Sequence, residues 1–322
     1  MSALSHLGPQ QRRLKRLDLI PIHVDIIGPG ALGLHLALSM PPDAVVRLRH
    51  PDFSAGSVAL SYVDSSTTRR VETLSLTDPA PIRCALFTTK AFQVVPALRA
   101  ILPQLDDAAD VVLLHNGLGP QDAACALYSG NVWVGTTTEG ALRTDKWQVQ
   151  HTGRGQTIIG PWRTATDSTQ TATDEPAVMH LLRRSLWASS WAPSTSVMHQ
   201  HIWRKVIINC AINPMTALHN LRNGELLNPE WVAQWQDIVV EAVAVANAQH
   251  LSFDPEAMVA DAHTVMQATA ENYSSMHQDW HYGRATEADL ILGAVVRYGA
   301  QSGIATPRIS ALLDALMAGK AC

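Results

Sequence analysis

Lys205, Asn209 and Asn213 stand at i, i+4 and i+8 in the run from His201 to Pro214. On a helix that spacing lays all three along one face. Their neighbours Val206, Ile207, Ile208, Ala211 and Ile212 are apolar. The helix is therefore expected to be largely buried, and a buried lysine with two amides needs partners. Two readings follow. The three residues form a polar stripe facing solvent or another helix, or they form the wall of a site. In a site, lysine would give a proton to a keto oxygen and the asparagines would hold polar substrate groups.

A second constellation is Gly28-Pro29-Gly30-Ala31-Leu32-Gly33, a G-x-G-x-x-G run. It lies between an apolar strand over 22–27 and a helix expected over 31–40, stopped by Pro41 and Pro42. The glycines permit a tight turn and close backbone approach to a pyrophosphate, and the helix start offers free N–H groups to that anion. A structural glycine turn is the plainer alternative. The next strand, expected over 44–48, leads into Arg49 and His50. A guanidinium there suits a 2′-phosphate through its two-pronged fork, which favours NADPH over NADH. Asp52 follows and offers the acid that an NAD site would use.

Lys90 and Asn116-Gly117 each follow a short apolar run, 85–88 and 111–114 respectively. In an open α/β sheet both would lie at the carboxyl edge, where ligands bind. A solvated lysine and a plain Asn-Gly turn are the competing readings. Near the other end, Thr286 reads as a helix N-cap and Glu287 as a first-turn acid complementing the helix dipole. Ser275 lies twelve residues before Glu287. On one helix the two would share a face poorly, so Gly283 is expected to break the segment.

The elements that must position these residues fall into two textures. Residues 21–195 alternate apolar strands with helices, one of them over 94–102 with Pro96 in its first turn. Segments 148–150 and 157–159 read as later antiparallel strands. Residues 196–322 carry helical periodicity over 201–217, 229–250, 255–270 and 287–303. The expected fold is α/β, a Rossmann-type doubly wound N-terminal domain followed by a predominantly α-helical C-terminal domain. Residues 1–20 read as a polar extension, and 167–174 as a Thr/Ser/Asp-rich insertion.

Bulk properties exclude several classes. The formal net charge of −4 gives no basic surplus for nucleic acid. No uninterrupted apolar run is long enough to span a membrane, and no secretory signal is evident. Cys84, Cys125, Cys210 and Cys322 are dispersed, without metal-type or redox spacing, so no metal is expected and the setting reads as cytoplasmic. Cys84 and Cys210 read as small buried hydrophobes.

Taken with the stretch Trp203–Ala217, several segments occur in one order along the chain: Gly28–Gly33, Thr89–Gln93, His115–Gly119, Ser274–Asp279 and Thr286–Asp289. Together they resemble the ketopantoate reductase family over nearly the whole chain. The resemblance implies NADPH-dependent reduction of 2-dehydropantoate to pantoate, on the route to pantothenate and coenzyme A. It implies Lys205 as general acid and Glu287 as its acidic partner. Asn209, Asn213 and Ser275, with Ser274 as a substitute, would hold the substrate. Asn116 would lie between nicotinamide and substrate, Lys90 near the cofactor, and Arg49 on the 2′-phosphate. A homodimer is among the expectations. The alternatives are a reductase of another small 2-keto or hydroxy acid and a non-catalytic NADP(H) sensor. Glu139 departs from the family, whose members often carry histidine there.

Overall fold

The computed structural model describes residues 23–163, 177–185 and 187–319. The extension at 1–20, the insertion at 167–174 and Cys322 lie outside them. The chain divides into two compact units. One comprises Met1–His115 with Gln121–Met198, the other Asn116–Pro120 with His199–Cys322. The expected boundary at 195 thus moves by three residues. The short segment 116–120 also joins the helical unit, which no local pattern announces.

The first unit is built on an eleven-stranded sheet. Its strands are β1 (His23–Ile27), β2 (Val45–Arg49), β3 (Gly56–Tyr62), β4 (Thr68–Leu74), β5 (Ile82–Phe87), β6 (Leu105–Leu113), β7 (Asn131–Thr137), β8 (Gly140–Asp145), β9 (Gln148–Gly153), β10 (Thr157–Arg163) and β11 (Ser189–Trp191). The order is β11-β10-β7-β6-β5-β1-β2-β4-β3-β9-β8, and the run from β7 to β4 is parallel throughout. β1, β2, β5 and the end of β6 are near-continuous apolar runs, as expected of parallel strands covered on both faces. β3 and β4 alternate with polar residues and were not legible as strands. Their pairing is antiparallel, as is that of β7 with β10 and of β8 with β9.

Only Thr138 and Glu139 connect β7 to β8, yet the two stand third from one end of the sheet and last at the other. The sheet must therefore curl over on itself. The helix α1 (Ala31–Ser39) lies inside the curl, packed against β3, β4, β8 and β9. Every residue from Gly33 to Ser39 is buried, as suits a helix that is apolar nearly all round. The helix α2 spans Ala91–Ile101, so Pro96 falls in its second turn rather than its first. It starts three residues before the expected Val94 because Ala91, Phe92 and Gln93 already carry helical geometry. A 3-10 turn over Leu102–Gln104 follows α2, and the helices α3 (Pro120–Leu127) and α4 (Ala177–Arg184) come later in the chain.

The second unit is helical. The helix α5 runs Thr195–His219 and starts in the first unit. It is followed by α6 (Pro229–Ala248), α7 (Pro255–Ala268), α8 (Ser275–His281), α9 (Ala288–Ser302) and α10 (Pro307–Ala318). The core forms from Ile202, Trp203, Val206, Ile207 and Cys210 of α5, Trp235, Val239 and Val243 of α6, and Ile291, Leu292 and Val295 of α9. Gly283, with φ +65°, separates α8 from α9. The helix α8, of seven residues, and the helix α10 are additions to the helices expected from periodicity.

Candidate active site

The helix α5 passes uninterrupted through Lys205, Asn209 and Asn213, which fixes them on one face. Asn213 is buried, while Asn209 and Lys205 are half-buried. Loss of hydration pulls the Lys205 pKa down from 10.5 to about 8, and the negative charge of Glu287 opposes that fall. Its ammonium is thus held where it can both give and regain a proton near neutrality.

Glu287 is 5% exposed. It occupies the N-cap position of α9 with no side-chain cap bond, and Thr286 is not the cap that the sequence suggested. The helix opens one residue later than expected, and Asp289 is the acid of its first turn. Asp289 is bound to Arg297 at 2.8 Å. The Glu287 carboxylate instead accepts a hydrogen bond from Nδ2 of Asn116, at 2.9 Å. Asn116 is brought to α9 by the residue that follows it. Gly117 has φ +83°, and a Cβ there would meet the carbonyl oxygen of Leu290 at 2.3 Å. Leu118 N–H donates to that same carbonyl, at 2.8 Å. Only glycine permits this approach. Asn116 and Glu287, 171 positions apart in sequence, are thereby fastened together.

Ser274 and Ser275 differ in their commitments. Ser274 is buried and caps α8, accepting from His277 N–H at 3.0 Å. The Thr216 hydroxyl gives its proton to carbonyls of Ile212 and Asn213, so the Ser274 hydroxyl donates to Thr216 Oγ1 at 2.7 Å. Ser274 thus ties α8 to α5 within one turn of Asn213. Ser275 is exposed. Ser274, expected as a substitute substrate ligand for Ser275, is instead a positioning residue, as is Thr216, which the sequence does not single out. The signal available was a serine three residues before a helix's first-turn amide.

In the first unit, Gly28 has φ +88°, and a Cβ on it would lie 2.4 Å from Thr89. A Cβ on Gly30 would meet nothing within 4 Å. Gly30 is also the N-cap of α1, with no side-chain cap. The turn is therefore open at the middle glycine, and the first N–H groups of α1 have no acceptor inside the helix. These residues fit the pyrophosphate of a dinucleotide. Lys90 lies just beyond β5 as the N-cap of α2, on the carboxyl edge of the same sheet.

Arg49 departs from expectation. It ends β2 as anticipated, but its side chain is 0% exposed. Nε donates to Asp25 at 2.6 Å, and the two terminal nitrogens donate to carbonyls of Ser75, Asp78 and Ala80. Arg47 donates to the other oxygen of Asp25 at 2.5 Å and to the carbonyl of Pro81 at 2.7 Å. The parallel register sets Asp25 beside Arg47 and Ile27 beside Arg49, so both guanidiniums converge on one buried carboxylate. The cation expected to read a 2′-phosphate is here a tie between β1, β2 and the 75–81 connection. The sequence did not reveal this because Asp25 lies within an otherwise apolar strand.

Comparison with known proteins places these observations. The ketopantoate reductase PanE/ApbA family matches residues 24–164, and its C-terminal domain matches residues 197–320. A 2-dehydropantoate 2-reductase of Vibrio cholerae is 37% identical over 90% of this chain and 95% of its own length. One from Halobacterium salinarum is 34% identical, over 91% and 97%. Among solved structures, the 2-dehydropantoate 2-reductase of Geobacter metallireducens superposes with a TM-score of 0.77 at 23% identity, over 92% of this chain and 99% of its own. D-mandelate dehydrogenase with NADH and anilino(oxo)acetate superposes with a TM-score of 0.80 at 21% identity, over 93% and 99%. A lysine on an apolar helix, a carboxylate fastened to an asparagine and a glycine turn open to pyrophosphate occur here in a chain that belongs to the ketopantoate reductase family.

Proposed function

We propose that Lys205 acts as general acid, with Glu287 as its partner, in the NADPH-dependent reduction of 2-dehydropantoate to pantoate. The reaction itself is that of the curated relatives. The observation that carries the residue assignment is the placing of Lys205 on α5 in line with Asn209 and Asn213, under the charge of a buried Glu287 carboxylate that Asn116 holds at 2.9 Å.

NADPH, when bound, supplies the hydride that reduces the keto carbon. Charge then develops on the keto oxygen, and Lys205 neutralises it by giving up a proton. At pH 7 roughly ten lysines in eleven are protonated with such a pKa, so the acid form is present when needed. Glu287 keeps the site's charge balanced after that transfer and holds Asn116 in place through its 2.9 Å bond. Asn209, Asn213 and the exposed Ser275 hold the hydroxyl and carboxylate ends of the substrate. In the first unit, the backbone of Gly28, Pro29, Gly30, Ala31, Leu32 and Gly33 holds the pyrophosphate. Lys90 and Asn116 complete the cofactor contacts. The chain works as a homodimer in the cytoplasm. Support for the dimer comes from a dimeric ketopantoate reductase of Staphylococcus aureus among the fold's neighbours. No helix among the described residues is long and apolar enough to cross a membrane.

The test is the loss of NADPH absorbance with a panel of 2-keto acids. 2-Dehydropantoate should exceed unbranched and aromatic 2-keto acids in kcat/KM by at least about a hundredfold. An aromatic 2-keto acid at the head of the panel would overturn the substrate assignment.

A further inference from the structure

We propose that His35, Glu139 and His151 form a site for one divalent transition cation of the zinc class, independent of the reductase site. The three residues come from α1, the β7–β8 connection and β9, and their ligand atoms all lie within 4.8 Å of one another. Their sequence separation conceals the set from any spacing rule.

Charge and geometry both point to a cation. The Glu139 and His35 side chains are each 4% exposed. Among the described residues, the charge partners of this buried carboxylate are two imidazoles, His35 and His151. His151 Nε2 is a normal hydrogen-bond distance from Glu139 Oε2, at 2.8 Å. His35 Nε2 is not, because it faces the same oxygen at 3.6 Å. That gap is too long for a proton to bridge. It is close to the roughly 3.4 Å that separates two ligands of a tetrahedral zinc with bonds of about 2.0–2.1 Å. The other nitrogen of His35, Nδ1, lies 2.8 Å from the Tyr62 hydroxyl. Such an outer hydrogen bond orients a ligating imidazole and fixes which nitrogen faces the metal. Two imidazoles and a carboxylate are a donor set that zinc takes readily, with water in the fourth position.

The rings of His35 and His151 stack, with centroids 4.3 Å apart and planes at 24°. Trp187 stacks on His35 at 5.1 Å. Chelation requires one ring to leave that stack. His151, with a side chain 31% exposed, is the one able to turn, while His35 is held from both sides. Binding through Nε2 would place the ring proton of a neutral His151 on Nδ1 and open its 2.8 Å contact with Glu139. The ion would then fasten the middle of α1 to the connection that crosses over it.

The experiment is a competition titration of chelator-treated full-length protein with Zn2+ against a chromophoric chelator, repeated with Co2+ for its visible absorption. The expected result is one equivalent bound per chain, with the visible bands of tetrahedral Co2+. Glu139→Gln should lower zinc affinity by at least about tenfold, and His151→Asn should do the same from a half-exposed position if the first variant fails to fold. Zinc should also raise the melting temperature of the wild type and not of the variants. Absence of a stoichiometric site, or equal affinity in wild type and variants, would overturn the proposal.

Discussion

Each unit of this chain withdraws a cation from water, and the two are handled in opposite ways. Arg49, at the end of β2, meets Asp25 and three backbone carbonyls, and no part of it reaches the surface. Lys205, on α5, sits among apolar neighbours with its pKa lowered to about 8. A guanidinium remains charged under all ordinary conditions, so burying it demands a full set of acceptors. An ammonium on a flexible stem can lose its proton instead, and burial then tunes it for proton transfer. The comparison shows that a charged residue at the place where a ligand is expected is not thereby a ligand-binding residue. What decides is whether the fold has already filled its hydrogen-bonding capacity.

The largest effect is expected at Asp25. Asp25→Ala leaves two guanidiniums buried without their carboxylate, and removing one partner of a buried pair costs about 3–5 kcal/mol. A fall of that size in unfolding free energy by urea titration is expected. Loss below about 1 kcal/mol would mean that the arginines are not bound to it as described. At the other cation, Lys205→Ala should cut kcat by at least about a hundredfold while leaving NADPH affinity within a few fold. A mild effect on turnover would remove the lysine from the chemistry.

The acid–base behaviour sharpens the contrast. Lys205 acts in its protonated form, and its pKa of about 8 lies below the 10.5 of a free lysine. Reduction rates should therefore be level below about pH 8 and fall about tenfold per unit above it. Lys205→Arg, which cannot lose its proton in that range, should abolish this inflection along with most of the rate. A limb that persisted unchanged in the arginine variant would have to come from another group. The smallest effect is expected at Arg49. Arg49→Gln leaves the pair of Asp25 with Arg47, and the ratio of NADPH to NADH dissociation constants should stay within about threefold of wild type. Selective loss of NADPH by tenfold or more would show that the guanidinium leaves its buried contacts to read the phosphate.

Several site features were legible because they are local. The i, i+4, i+8 pattern of Lys205, Asn209 and Asn213 fixes a shared face wherever a helix forms. The Gly28–Gly33 run between strand and helix fixes an open turn, and Gly283 breaks the chain before Glu287. The parallel strands β1, β2, β5 and the end of β6 are readable from apolar runs, whereas β7 is not, nor are β3 and β4, which alternate with polar residues. The seven-residue helix α8 offers too few turns to show a period.

The class of each unit and the residue types available for chemistry follow from the chain's local pattern, since propensity and periodicity act over a few neighbouring positions. The tertiary structure alone decided what each polar residue does. It joined Asn116 to Glu287 across 171 positions, turned Ser274 into a cap while leaving Ser275 exposed, and closed Arg49 onto Asp25. The physical reason is that the state of a buried charge depends on its hydration and on which donors and acceptors surround it. Those surroundings are assembled by packing between segments that are distant in sequence.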